Sequence, residues 1–229
     1  MNKIYKVGLI GCGHISETYF RAHEYFNNFK IIKCADIKES ASKNCASLYN
    51  IESVSVDDLL ADNQIEVVLN LTTPQAHYEV TKKTLLAGKH SYCEKPLSTK
   101  FENGQELVNL AKEKNLYLGN GPDTFLGAGS QKSRQLIDSG LVGDIKLGNA
   151  IFAFPGVQSY HPDPEPWFQK DGGGPVMDMG TYYLTVLVNL LGPAKQVQGC
   201  ELTVSEFREI GIGPKKGKKI KVESPTTYM

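Results

Sequence analysis

Five short apolar runs, at residues 5–10, 31–35, 66–71, 89–93 and 116–118, alternate with stretches near 14–27, 39–49, 75–87 and 99–114 whose apolar residues have helical spacing. Runs of that length read as strands, and the stretches between them as amphipathic helices. Strands joined by helices must cross over to pair in parallel. The first half of the chain is therefore expected to form a doubly wound parallel sheet with helices on both faces. Ligands of such sheets bind beyond the carboxyl ends of the strands. The residues that follow each apolar run are thus the first candidates for a site.

The rhythm breaks at Gly119-Asn120-Gly121-Pro122, which divides the chain into expected domains 1–121 and 122–229. Beyond it lie a helical stretch at 124–138, a strand-like run at 146–154 and a Pro-rich loop at 161–168. Gly172-Gly173-Gly174-Pro175 then leads a long apolar helix over 176–191, ended by Gly192-Pro193, and 196–204 is again strand-like. At 229 residues and 41% hydrophobic content the chain can bury one large core or two of modest size. Lys plus Arg equals Asp plus Glu at 25 each, so no net field draws it to nucleic acid or an anionic membrane, and small-molecule chemistry is expected. No apolar run approaches the roughly 20 residues that span a bilayer, and the first residues lead into a strand rather than a signal peptide, so a cytosolic protein is expected. Cys12, Cys34, Cys45, Cys93 and Cys200 are scattered, with no C-x-x-C pair. His14, His23, His77, His90 and His161 show no ligand spacing. Neither a disulfide framework nor a metal site is expected.

The stretch at 7–16, VGLIGCGHIS, ends a strand and opens a helix. Gly11-x-Gly13-x-x-Ser16 fits the dinucleotide fingerprint with serine in its third place. Gly11 permits a tight turn, Gly13 lets backbone approach a pyrophosphate, and a small residue at 16 allows close packing. His14 and Ile15 complete the turn as cofactor candidates. Asp36 follows the second strand, where an acid accepts hydrogen bonds from ribose hydroxyls. Its bland reading is a solvated loop acid or helix cap. A carboxylate there would repel a 2'-phosphate, which favours NAD, while Lys38 nearby keeps NADP open.

The third strand runs into Thr72-Thr73-Pro74, two small hydroxyls and a proline suited to begin a helix. His77, one turn on, is either a packing or capping residue or a cofactor contact. At Glu94-Lys95-Pro96, after the fourth strand, the lysine is either a surface charge or the group that moves a proton. Asp178 and Tyr182 stand i, i+4 in the apolar helix, on one face of it. Their bland reading is a helix cap and a core aromatic.

These motifs in this order closely resemble the Gfo/Idh/MocA family of nicotinamide-dependent oxidoreductases. GGGPVMDMGTYYLTVLVNLLGP at 172–193 resembles the family's Gly-Gly-Gly-x-x-x-Asp-x-Gly-x-His block. The resemblance implies a Rossmann-type NAD(P)-binding domain, then an α+β domain with an open, mainly antiparallel sheet. It implies that Lys95 lies beside the nicotinamide as general acid/base, that Glu94 and Pro96 fix its turn, and that Asp178 binds substrate and assists the lysine. Tyr182 stands where the family has histidine and can itself donate and accept a hydrogen bond. Trp167 is read as covering the nicotinamide end of the site or as domain packing, and Asp123 as a further cleft candidate.

The family's second domain usually continues well beyond the 38 residues that follow Leu191, so a shortened second domain is expected. Its open sheet edge implies self-association into a homo-oligomer. The lysine run 215–221 is read as a solvated hairpin loop. The implied activity is hydride transfer between a nicotinamide and a carbinol carbon of a sugar or cyclic polyol. An NAD-dependent glycosidase of the same family and a non-catalytic nucleotide-binding protein are the rival readings.

Overall fold

The computed structural model describes residues 3–22 and 25–229. The expected helix over 14–27 and the histidine at 23 lie in part or wholly outside them. The chain divides into two compact units, Met1–Gly121 and Pro122–Met229.

The first unit holds six parallel strands in the order β3-β2-β1-β4-β5-β6: β1 (Tyr5–Ile10), β2 (Phe29–Ala35), β3 (Glu52–Ser53), β4 (Val67–Asn70), β5 (His90–Glu94) and β6 (Leu118–Gly121). Helices α1 (Ser16–Ala22), α2 (Glu39–Tyr49), α3 (Val56–Ala61), α4 (Pro74–Leu86) and α5 (Phe101–Glu113) make the crossovers. Alternate residues of β1 face opposite sides of the sheet, as strand geometry requires. Val7 and Leu9 pack with Phe20, Ile31, Cys34 and Leu69, while Ile10 packs with Leu59, Ile65 and Val68. Both faces are covered, which is why these strands read as continuous apolar runs.

Two elements escape the sequence reading. Strand β3 is two residues long and α3 six, both too short for periodicity to mark. The glycines read as a domain break lie inside β6. A Cβ on Gly119 or Gly121 would stand 2.8 or 2.9 Å from the Tyr92 side chain, so their bareness seats that ring against the strand.

Within this unit a buried polar lattice ties the end of β4 to the turn after β5. Asn70, fully buried, donates from Nδ2 to the His77 carbonyl and to Thr81 Oγ1, both at 3.0 Å. The His77 ring, 1% exposed, places Nδ1 2.5 Å from the Pro96 carbonyl oxygen and Nε2 3.0 Å from that of Thr72.

The second unit holds α6 (Ala128–Asp138), α7 (Thr181–Leu191) and four short strands: β7 (Glu201–Leu202), β8 (Phe207–Glu209), β9 (Lys219–Lys221) and β10 (Thr227–Tyr228). β7 pairs antiparallel with β10, and β8 with β9. The expected helix at 124–138 opens as a 3-10 turn and is interrupted at Gly127, whose extended ψ of 153° stops one turn before the next begins. The expected strand at 146–154 does not form, since no segment pairs with it among the described residues. The lysine run falls on the β8–β9 hairpin. Lys215 and Lys218 ion-pair there with Asp163 and Glu165 of the Pro-rich loop, at 2.7 and 2.5 Å.

Burial pushes the His77 imidazole below the ordinary histidine value, against the opposing pull of the Pro96 and Thr72 carbonyls. An unfolded chain then takes up the proton first as pH falls through about 6.5, so the contribution of neutral His77 is full above that pH and is lost below it. Denaturant unfolding of the protein should show stability falling between about pH 7 and pH 5.5. His77→Gln should cost about 1–3 kcal/mol at the upper end, by stranding a buried carbonyl, and should flatten that slope. An unchanged slope in the variant would show that His77 is not its source.

Candidate nucleotide and proton-transfer site

The turn after β1 is shaped by what cannot fit there. Gly11 has φ +101°, and a Cβ on it would lie 2.6 Å from the backbone carbonyl of Leu71, at the end of the neighbouring β4. No other residue combines that conformation with that approach. Its N–H donates to the Ala35 carbonyl at 2.9 Å, fastening the turn to β2 as well. A Cβ on Gly13 would meet nothing within 4 Å. The space over this backbone is open, as an approaching pyrophosphate requires. Ser16 is buried, and its hydroxyl donates to the Gly13 carbonyl at 2.7 Å, so the third position is small and also closes the turn. His14 and Ile15 are exposed on the same turn.

Asp36, just after β2, is aimed by backbone. Its Oδ2 accepts from the Cys12 N–H at 2.8 Å and its Oδ1 from the Lys38 N–H at 2.7 Å. A carboxylate has about four acceptor positions, so two remain for donors such as paired ribose hydroxyls. Asp36 thus makes the local turn contact of its bland reading and keeps acceptor capacity for a ligand. The residues present fit an NAD-type dinucleotide.

On the other side of β1, Thr72 donates from its hydroxyl to Asn70 Oδ1 at 2.6 Å, while exposed Thr73 is the N-cap of α4 and Pro74 its first residue. His77 lies beneath this turn with both ring nitrogens against carbonyls. Whatever it does for a cofactor it does through Thr72 and Pro96.

The turn after β5 carries Lys95, half-buried, on the same carboxyl edge of the parallel sheet. Glu94 shares its carboxylate between two donors, the Tyr19 hydroxyl of α1 at 2.7 Å on Oε1 and the Lys95 N–H at 3.0 Å on Oε2. Burial first, and then the Glu94 charge, push the Tyr19 hydroxyl far up, so it stays a donor at any working pH. Asn120 Nδ2 donates to the carbonyls of Cys93 and Glu94 at 2.8 and 3.1 Å. The Lys95–Pro96 peptide is cis. Tyr19, Asn70 and Asn120 are site-building residues that sequence reasoning misses. Only Asn70 leaves a signal, as an amide closing the apolar run Val67-Val68-Leu69.

In the second unit Asp178 lies in a single π-helical turn, Val176–Gly180, with α7 following from Thr181. Asp178 and Tyr182 thus stand four residues apart across the junction of a π turn and an α-helix rather than within one regular α-helix. Such turns recur at functional sites. Burial and the Asp178 carboxylate push the Tyr160 hydroxyl up, which marks Tyr160 as a neighbour of Asp178. A cavity of about 540 Å³ is lined by Asp178, Phe152, Phe154, Trp167, Tyr183 and Tyr228, among others. Tyr183, not Tyr182, lines it. Trp167 packs on the cluster of Val157, Phe168, Ile210, Ile220 and Val222, and its ring centroid lies 4.7 Å from that of His161. Trp167 therefore packs within this unit, as one of its two readings has it, and also lines the unit's cavity. Asp123 is exposed at the start of the 3-10 turn at 124–126, where its backbone carbonyl rather than its side chain accepts from the Leu126 N–H at 2.8 Å.

Two family models match. The oxidoreductase family's NAD-binding Rossmann fold matches residues 5–121, and the Gfo/Idh/MocA C-terminal domain matches 130–213. An uncharacterised oxidoreductase of Schizosaccharomyces pombe is 29% identical over 212 residues, 86% of this chain and 56% of the relative. The D-xylose dehydrogenase of Paenarthrobacter nicotinovorans is 29% identical over 167 residues, 71% of this chain and 42% of that enzyme. The crystal structure of the WlbA dehydrogenase from Bordetella pertussis, in complex with NADH and UDP-GlcNAcA, is similar with a TM-score of 0.83 at 23% identity, covering 100% of this chain and 63% of that one. The chain thus spans less than two thirds of the length of each. Each of its units nonetheless matches a domain model of one family, and the chain belongs to the Gfo/Idh/MocA family of oxidoreductases.

Proposed function

We propose that the protein is an NAD(P)-dependent oxidoreductase acting on a carbinol carbon of a sugar or cyclic polyol, with Lys95 as the general acid/base. The observation that carries this reading is the shared rim. The open Gly13 backbone, the Asp36 carboxylate aimed by the Cys12 N–H, and Lys95 all follow the carboxyl ends of one parallel sheet. The bound nicotinamide supplies the hydride acceptor or donor. The chain's residues do the rest. Gly11 and Gly13 receive the pyrophosphate, Asp36 accepts from the adenosine ribose, and Lys95 takes the hydroxyl proton during oxidation or returns it during reduction. Asp178 and Tyr182 are assigned to the substrate's hydroxyl groups. The carbohydrate class is supported by relatives named for D-xylose and for dTDP-linked deoxysugars.

Two substitutions test the assignment. Lys95→Met should lower turnover by about 100- to 10,000-fold, the usual worth of a positioned acid/base, and leave NAD affinity in fluorescence titration within about threefold. Unchanged turnover would sink the role of Lys95. Asp36→Asn should weaken NAD binding by about 10- to 100-fold, the worth of hydrogen bonds to a charged acceptor, and shift the NAD to NADP preference towards NADP. An unaltered preference would remove Asp36 from the ribose.

Self-association through the second unit belongs to the same reading. Leu147 and Ile151 are 86% and 81% exposed on a segment with no ladder partner among the described residues. Exposed apolar residues of that kind are candidates for burial against a second copy of the chain. Gel filtration should show a dimer or larger species, and a clean monomer across the micromolar range would count against it.

A further inference from the structure

Three cysteines far apart in sequence meet beneath the glycine turn. Cys12 stands between Gly11 and Gly13, Cys34 lies near the end of β2 and Cys45 in the second half of α2, and their sulfurs all lie within 4.8 Å of one another. Cys34 is fully buried, Cys45 is 9% exposed, and Cys12 is half-buried, so the group has one side open to entry. Phe20, Leu71, Ala46 and Tyr49 belong to the apolar cluster that encloses it. The sulfurs are weakly held, with Cys34 Sγ 3.4 Å from the Ser42 carbonyl oxygen and Cys12 Sγ 3.7 Å from that of Ala35. An arriving ligand displaces little.

We propose that Cys12, Cys34 and Cys45 form a binding site for one soft metal ion, Cu(I) in preference to Zn(II). Thiolate sulfur in an apolar surrounding selects soft ions. Structural zinc requires four ligands. Among the described residues the group stops at three, with no histidine, carboxylate or fourth thiol joining it. An ion held by three sulfurs in one plane, at about 2.3 Å from each, keeps them about 4.0 Å apart, so the side chains need contract by less than about 1 Å. Binding exchanges protons for the ion. Two thiols ionise and release their protons to solvent, the third sulfur completes the coordination as a neutral thiol, and the occupied site carries one net negative charge. No electron is transferred.

The Cys12 N–H holds Asp36. The ion would therefore fasten the backbone of the turn to β2 and α2 from below, on the side of the sheet core rather than on the ligand face.

The test is anaerobic titration of the reduced protein with Cu(I), buffered by bicinchoninate as a competing chelator. One equivalent should bind, with a near-ultraviolet thiolate-to-copper absorption, and affinity should fall as pH is lowered. Cys34→Ala and Cys12→Ala should each weaken binding at least about tenfold, while Cys93→Ala and Cys200→Ala leave it unchanged. Cys12 is half-exposed, so its variant keeps the test open if Cys34→Ala fails to fold, and circular dichroism melting identifies such a failure. Full-strength binding in folded Cys12→Ala overturns the proposal. So does loss of binding in Cys200→Ala, tighter uptake of Zn(II) than of Cu(I), or formation of a Cys12–Cys34 disulfide in air by a protein whose reduced form takes up no copper.

Discussion

The backbone of the first turn and the backbone at the end of β4 pass so close that only a hydrogen atom separates them at Gly11. That approach sits where the order of strands reverses, with β2 on one side of β1 and β4 on the other. At such a point the connections leave the sheet in opposite directions and a crevice opens between them. The glycine fixes where Leu71 and Thr72 lie. Thr72 then meets Asn70 through its hydroxyl and His77 through its carbonyl, and His77 carries the constraint on to Pro96. A steric limit at residue 11 is transmitted in this way to the turn that holds Lys95.

The lysine turn is held from three sides. Tyr19 grips the Glu94 carboxylate, Asn120 takes the last carbonyls of β5, and His77 braces Pro96 from below. Each support comes from a helix or strand rather than a loop. A side chain on an over-determined backbone keeps one position, and the proton transfer proposed for Lys95 depends on distance and angle.

The parallel architecture is legible because both faces of the sheet are buried and the strands print themselves as apolar runs. Gly11, Gly13, Asp36 and Lys95 are legible as candidates because each follows such a run. What is not legible depends on contacts between distant elements. Nothing near residue 19 announces that its hydroxyl reaches residue 94, and nothing in five scattered cysteines announces that three converge, since convergence follows from the strand order. The stretch at 146–154 has the composition of a strand, but strand is a relation between two segments, and composition describes one. In the apolar helix over 176–191 the sequence implies regular spacing. The π turn at Val176–Gly180 alters it, and the cavity is lined by Tyr183 rather than Tyr182.

The single carboxylate shared by Tyr19 and Lys95 also bears on how such a protein can change over generations. The two residues that hold Glu94 belong to different segments, Tyr19 to the helix that follows the glycine turn and Lys95 to the turn after β5 for which proton transfer is proposed. A lineage that loses the tyrosine hydroxyl leaves a partly buried charge half satisfied, and a lineage that shortens the glutamate strands the hydroxyl. Positions 19 and 94 are therefore expected to drift as a pair, so that the history of one half of the site constrains that of the other.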